Sequence, residues 1–142
     1  MSPTTRPARA ADEGAILSLA HPFATSFAID ERAFHRAYGE LLTSTEALVL
    51  VAESESAIVG YLLGFDHPTF YANGRVAWVE ELMVGEAWRR QRVGASLMRA
   101  FEDWARGRGC RLVALATRRA AAFYTATGYE ESAISFRKLL LA

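Results

Sequence analysis

The stretch VEELMVGEAWRRQRVGASLMRAF, Val79–Phe101, constrains the fold more than any other part of the chain. It begins as an apolar strand, passes through a turn holding Arg89, Arg90, Gln91 and Arg92, and continues as an amphipathic helix from about Val93 to Gly107. Val93, Leu97, Ala100, Phe101 and Trp104 form one apolar stripe on that helix. The first turn of a helix presents unpaired N–H groups and the positive end of the macrodipole. A strand-to-helix turn that adds arginines there points to an anion site, with phosphate as the fitting ligand.

The rest of the chain must accommodate this unit. At 142 residues, 51% of them apolar, the sequence suits a single domain over 1–142 with a real core. Sixteen basic and sixteen acidic side chains cancel, so nothing global attracts nucleic acid or an anionic membrane, and a basic site must be local. One cysteine, Cys110, excludes an internal disulfide framework and a multi-thiolate metal site. His21, His35 and His67 show no metal-ligand spacing. The N-terminal stretch has no apolar core for export and no run reaches membrane-span length, so a cytoplasmic protein is expected.

Pattern and turn residues predict a short strand near Thr4–Ala8, a helix capped by Asp12, and a second helix capped by Asp30 through about Leu42. ALVLVAES and AIVGYLLGF read as a hairpin, and a third long strand covers about Val76–Val84. After the arginine turn and its helix come a strand CRLVALA, a helix RRAAAFYTAT and a final strand SAISFRKLLL. Helices dispersed among strands predict a mixed α/β sheet covered on both faces. The strands flanking the long helix should run parallel, with a right-handed connection.

ELMVGEAWRRQRVGASLMRAFEDWARGRG, followed by AAAFYTATGYE, resembles the GCN5-related N-acetyltransferase (GNAT) family. That family's phosphate loop reads Gln/Arg-x-x-Gly-x-Gly/Ala between a strand and a helix. Arg89 stands at its first position, Val93 at the aliphatic one and Gly94 at the last glycine, while Arg92 replaces the middle glycine. Backbone N–H groups are available from any residue but proline, so pyrophosphate binding survives that replacement. A positive φ there would strain the arginine. RPARAADEGAIL and AIVGYLLG resemble further family segments, so the likeness covers nearly the whole chain.

The resemblance implies the acyl-CoA N-acyltransferase fold, with a mixed, mostly antiparallel sheet, and acetyl-CoA as cofactor. It implies that the fourth strand splays from the fifth and holds the pantetheine arm on backbone groups of Leu82, Met83 and Val84. The pyrophosphate would lie on the amides from Gln91 to Ser96, including Val93, Gly94 and Ala95, beside Arg89, Arg90 and Arg92. Thr117 would give a hydroxyl contact to pantetheine. Glu80 matches the glutamate that takes the proton of the acceptor amine, often through water. Met83 or Val84 would donate an N–H to the oxyanion. Tyr124 matches the tyrosine that protonates the departing thiolate. Strand alternation places Glu81 on the opposite face from Glu80, where it would attract a cationic acceptor. Cys110, at the start of the fifth strand, is read as a small packed residue and not as a nucleophile.

The expected reaction is acetyl transfer to a primary amine of a small molecule by direct attack in a ternary complex. The alternatives are a protein or peptide amine acetyltransferase, or a non-catalytic acyl-CoA-binding sensor. Phe23, Phe27, Phe70 and Tyr71 are expected to wall a partly apolar acceptor site, and a core or homodimer contact is their other reading.

Overall fold

The structure, a computed structural model, describes residues 2–24 and 26–141. Strand β1 (Thr4–Pro7) is followed by helices α1 (Glu13–Phe23) and α2 (Glu31–Thr43), then strands β2 (Ala47–Ser54), β3 (Ala57–Pro68) and β4 (Arg75–Val84). Helix α3 (Val93–Gly107), strand β5 (Cys110–Leu115) and helix α4 (Ala121–Ala126) complete the regular elements. The sheet order is β1-β2-β3-β4-β5. The first three pairings are antiparallel and β4–β5 is parallel, as expected for strands joined through a helix.

Each face of the sheet has its own core. On one, Leu97, Met98 and Phe101 of α3 pack against Leu62, Ala77 and Val79. On the other, Ile16 and Ala20 of α1 and Tyr38 of α2 pack against Val49, Val51 and Tyr61. Asp30 caps α2 as expected, accepting the Ala33 N–H at 2.8 Å. Asp12 behaves differently: its carboxylate accepts from the Arg9 N–H and the Arg6 guanidinium instead of capping α1 through its own side chain. Glu55 and Ser56, both at positive φ, close the β2–β3 hairpin in two residues.

One expected element is missing. SAISFRKLLL joins no strand ladder among the described residues, and residues 131–141 are exposed. The run has strand periodicity, but a strand exists only when another edge satisfies its backbone. Among the described residues, no helix is long and apolar enough to cross a membrane.

Candidate active site

Strand β4 has two unlike edges. Its ladder with β3 continues to the Gly60–Val84 pair, whereas its ladder with β5 ends at Val79–Leu115. From Glu80 to Val84 the edge facing β5 is therefore open, and the two strands part as expected. Gly85 N–H donates to the Val59 carbonyl at 2.8 Å. Hydrogen-bonded pairs alternate along an antiparallel ladder, so Tyr61–Met83 and Leu63–Glu81 also exchange bonds. Leu82 and Val84, the residues between, turn their N–H and C=O groups to the open edge. Arg89 Nε donates to the Val84 carbonyl there at 3.2 Å. Met83 is thereby corrected: its backbone groups belong to β3, so it offers neither a pantetheine contact nor an oxyanion donor.

The parting begins at a bulge. Leu63 pairs with Glu81 and Gly64 with Val79, leaving Glu80 without a partner on β3. A Cβ on Gly64 would sit only 2.3 Å from the Phe101 ring, so glycine alone lets α3 press onto β3 beside the bulge. The bulge also resets side-chain parity. Val79, Leu82 and Val84 all pack on the α3 face, whereas Met83 faces the α1–α2 core. Unbroken alternation, which put Glu80 and Glu81 on opposite faces, therefore does not hold across this segment. Glu80 is exposed. Glu81 is held in place by Tyr61, whose hydroxyl donates to it at 2.7 Å. Burial, with Glu81 beside it, pushes the Tyr61 hydroxyl pKa upward and keeps that proton in place.

Beyond β4 a 3-10 turn, Glu86–Trp88, leads to the first turn of α3. Arg90 and Arg92 both adopt left-handed backbone, with φ of 65° and 66°. Arg92 is the N-cap of α3, and no side chain caps the helix. A non-glycine residue in this region costs about 1–2 kcal/mol. The first intrahelical bond runs from Ser96 N–H to the Arg92 carbonyl at 3.0 Å. The Ser96 amide is thus occupied, correcting its assignment, and the amides of Val93, Gly94 and Ala95 lie ahead of the ladder. Gln91 turns its side chain back to the Ala87 carbonyl at 3.1 Å. Arg89, Arg90 and Arg92 are exposed around this turn.

Helix α4 closes the site from the other side. A Cβ on Gly94 would stand 3.2 Å from the Phe123 ring, so the glycine lets α4 approach the first turn of α3. Tyr124 packs edge-on against Phe123, with ring centroids 4.9 Å apart, and against Tyr129 at 5.9 Å. Burial raises the Tyr124 pKa, so its hydroxyl stays protonated at neutral pH. Tyr129 spends its hydroxyl on Glu102 at 2.7 Å, leaving Tyr124 as the aromatic hydroxyl of this group without a protein partner among the described residues. No fully buried side-chain N or O among them lacks a partner, so solvent reaches the Tyr124 hydroxyl. Thr117 accepts the Ala120 N–H at 3.1 Å, which shapes the approach to α4 and leaves its own proton to donate. A cleft of about 340 Å³ between α3 and α4 is lined by Arg92, Ala95, Ser96, Arg99, Ala126 and Thr127, among others. Arg99 carries no motif signal, because a lone arginine on a helix reads as solvated surface.

The aromatic residues expected around the acceptor are dispersed. Phe70 and Tyr71 are exposed in the loop before Arg75, at the end of β4 away from α3's first turn. Glu80 lies five positions along the strand from Arg75, about 17 Å. Phe27 is exposed in the α1–α2 connection. Phe23 ends α1, and its side chain lies outside the described part of the structure. Cys110 packs beside the buried Asp66, where burial pushes its thiol pKa up, in keeping with a non-nucleophilic role.

Two parallel strands that part beside a helix start with unbonded amides put a groove and an anion site side by side. Residues 15–129 match the Acetyltransferase (GNAT) family, and the chain belongs to that family. It is 32% identical over 133 residues to glucosamine 6-phosphate N-acetyltransferase 1 of Oryza sativa subsp. japonica, spanning 89% of this chain and 80% of that protein. A 38-residue segment is 53% identical to aminoglycoside N(6')-acetyltransferase type 1 of Klebsiella aerogenes, and spans 27% of this chain but only 25% of that protein. The fold superposes on crystalline glucosamine-6-phosphate N-acetyltransferase from Arabidopsis thaliana with a TM-score of 0.87, 18% identity and 99% of both chains covered. The chain is accordingly an N-acetyltransferase of the GNAT family, whose members use acetyl-CoA.

Proposed function

We propose that the chain acetylates a primary amine of a small polar molecule, of the amino-sugar class, with acetyl-CoA as donor. The observation that carries this reading is the open edge of β4, where the backbone of Leu82 and the N–H of Val84 meet no neighbouring strand and lead toward the amides of Val93, Gly94 and Ala95, while the Val84 carbonyl is held by Arg89. An extended amide-bearing arm can add to that edge as a strand would, while its pyrophosphate meets the helix start among Arg89, Arg90 and Arg92. In this reading Thr117 donates to the arm, and Arg99, which lines the α3–α4 cleft, faces a terminal phosphate. The donor belongs to a cytoplasmic cofactor pool.

The bound donor supplies the thioester carbon that the amine attacks. Glu80 removes the proton of the acceptor ammonium, directly or through water. Glu81, fixed by Tyr61, attracts that cation before the proton leaves. An N–H of Leu82 or Val84 faces the developing oxyanion, preorganised by the strand that carries it. Tyr124, kept protonated by burial, hands its proton to the departing sulfur and regains one from solvent. Both curated relatives are named for amino-sugar substrates, which supports this acceptor class over a lysine side chain. Thiol release from acetyl-CoA tests the reading when glucosamine 6-phosphate, an aminoglycoside and a lysine peptide are offered in parallel. Turnover of a sugar amine and not of the peptide is expected. Turnover of the peptide alone would overturn the acceptor class, and release with none of them would favour a binding role.

A further inference from the structure

Helix α4 carries the proposed proton donor, yet little of its own holds it in place. It runs for six residues, Ala121–Ala126, with no side-chain cap at its start and no buried residue. So short a helix does not stand on its own propensity and takes its position from what it packs on. Near its first turn, Phe123 meets Gly94 of α3. Its other end is fixed by a left-handed glycine stop. Gly128, at φ 97°, donates its N–H to the Thr125 carbonyl at 3.2 Å, and the Tyr129 N–H donates to the Tyr124 carbonyl at 3.0 Å. That pattern brings the residue after the glycine back over the helix, and the Tyr129 ring packs edge-on against Tyr124 with centroids 5.9 Å apart. Any apolar ring would satisfy this contact, so the stop itself requires no hydroxyl at position 129.

The hydroxyl is nevertheless there, and it donates to Glu102 Oε2 on α3 at 2.7 Å. Burial and the neighbouring carboxylate both push its pKa up, so the proton stays on Tyr129 and the bond is charge-assisted. One side chain thus ties α3 to the ring of Tyr124. We propose that Tyr129, held by Glu102, is a positioning residue that fixes the Tyr124 ring and so aims its hydroxyl at the departing sulfur. The proton passes from the Tyr124 oxygen to the CoA thiolate and is replaced from solvent, while Tyr129 keeps its own. Transfer of this kind needs the donor within a narrow range of distance and angle, and a donor on a six-residue helix has to be braced from outside that helix. The inference rests on the reading of Tyr124 as the proton donor.

Two measurements on the full-length protein test it. The first needs no substrate: ring signals of isotope-labelled tyrosines are followed by NMR, with Tyr124 assigned by the loss of its signal in Tyr124→Phe. Glu102→Ala leaves both rings in place and should shift or broaden the Tyr124 signal, and Glu102→Gln, which keeps an oxygen acceptor, should restore it. An unchanged Tyr124 signal in Glu102→Ala would overturn the proposal. The second is a mutant cycle in turnover, with acetyl-CoA and whichever of glucosamine 6-phosphate, the aminoglycoside or the lysine peptide is acetylated. Tyr129→Phe should lower kcat by roughly 10-fold, within the roughly 10²-fold that a misplacement of about 1 Å can cost, with KM for acetyl-CoA and far-ultraviolet circular dichroism unchanged. In a Tyr124→Phe background the same change should have no further effect, because no hydroxyl is left to aim. Wild-type kcat in Tyr129→Phe, or an equal loss in both backgrounds, would overturn the positioning role. Wild-type turnover in Tyr124→Phe would instead remove the proton-donor assignment, and the ring signals alone would then decide whether Tyr129 braces that ring.

Discussion

The two ends of β4 are built to opposite rules. At the Arg75 end both edges are paired, and a fully buried carboxylate, Asp66, binds three elements together: it accepts from Arg75 on β4 at 2.7 Å and from Arg108 after α3 at 2.7 and 2.9 Å, and Cys110 of β5 lies 3.8 Å away. At the Val84 end one edge is open, Glu80 stands in a bulge, and the next turn holds two arginines in left-handed backbone. Satisfied polar groups and strand pairing stabilise the first end. The second keeps unpaired amides and local strain, the features a binding site needs and a purely structural turn would avoid. The lesson is that one strand can be anchored at one end so that its other end stays available.

Substitutions at the two ends should separate function from stability. The largest effect is expected at the open end: Glu80→Gln should lower turnover by roughly 10²–10⁴-fold while the affinity for CoA and the unfolding midpoint stay unchanged. Tyr124→Phe should resemble it, since the ring packing is kept and only the hydroxyl is lost. Steady-state kinetics with CoA titrations measure both, and wild-type turnover in both variants would remove Glu80 and Tyr124 from the chemical step.

At the closed end the effect should fall on stability. Asp66→Asn removes the charge shared by Arg75 and Arg108, leaves Arg75 with Glu46 as its carboxylate, and should cost about 1–3 kcal/mol in chemical denaturation, with little change in kcat per folded molecule. Burial works to raise the Asp66 pKa, but the hydrogen bonds from Arg75 and Arg108 overcome it and hold the value at about 2. A carboxylate whose folded pKa lies below its unfolded value of 3.8 adds stability above that value and loses it as pH falls toward 2. Wild type should therefore weaken between about pH 4 and pH 2, and Asp66→Asn should show less of that dependence.

The smallest effect sharpens the account of the turn. Arg92 sits at φ 66°, so Arg92→Gly should relieve strain and raise stability by about 1 kcal/mol while weakening CoA binding through the lost charge. Destabilisation by glycine would mean that the arginine side chain holds the turn through contacts that outweigh its backbone cost.

Much of this was legible in the sequence because local signals agreed. The stripe from Val93 to Trp104 placed α3, the crossover fixed β4 and β5 as parallel, and the phosphate-loop pattern located the helix start. What escaped is non-local. The bulge at Glu80 lies beside the place where Phe101 of another element packs on Gly64, and no pattern within VEELMV reveals it. The resemblance names Leu82, Met83 and Val84 together, and only the ladder with β3 tells which of the three turn their backbone to the open edge. Phe70 and Tyr71 were grouped with the site by composition, although chain direction puts their loop at the far end of β4. The run SAISFRKLLL has a genuine strand pattern whose pairing the order of elements alone does not decide.

The central claim is that the open β4 edge and the first turn of α3 together receive the cofactor. Residue-resolved amide hydrogen exchange, with and without CoA, tests it most directly. The account predicts new protection at Leu82, Val84, Val93, Gly94 and Ala95, and little change at Met83 and Ser96, whose amides are already bonded within the protein. Protection of Met83 in place of its neighbours, or no protection along β4 at saturating CoA, would contradict it.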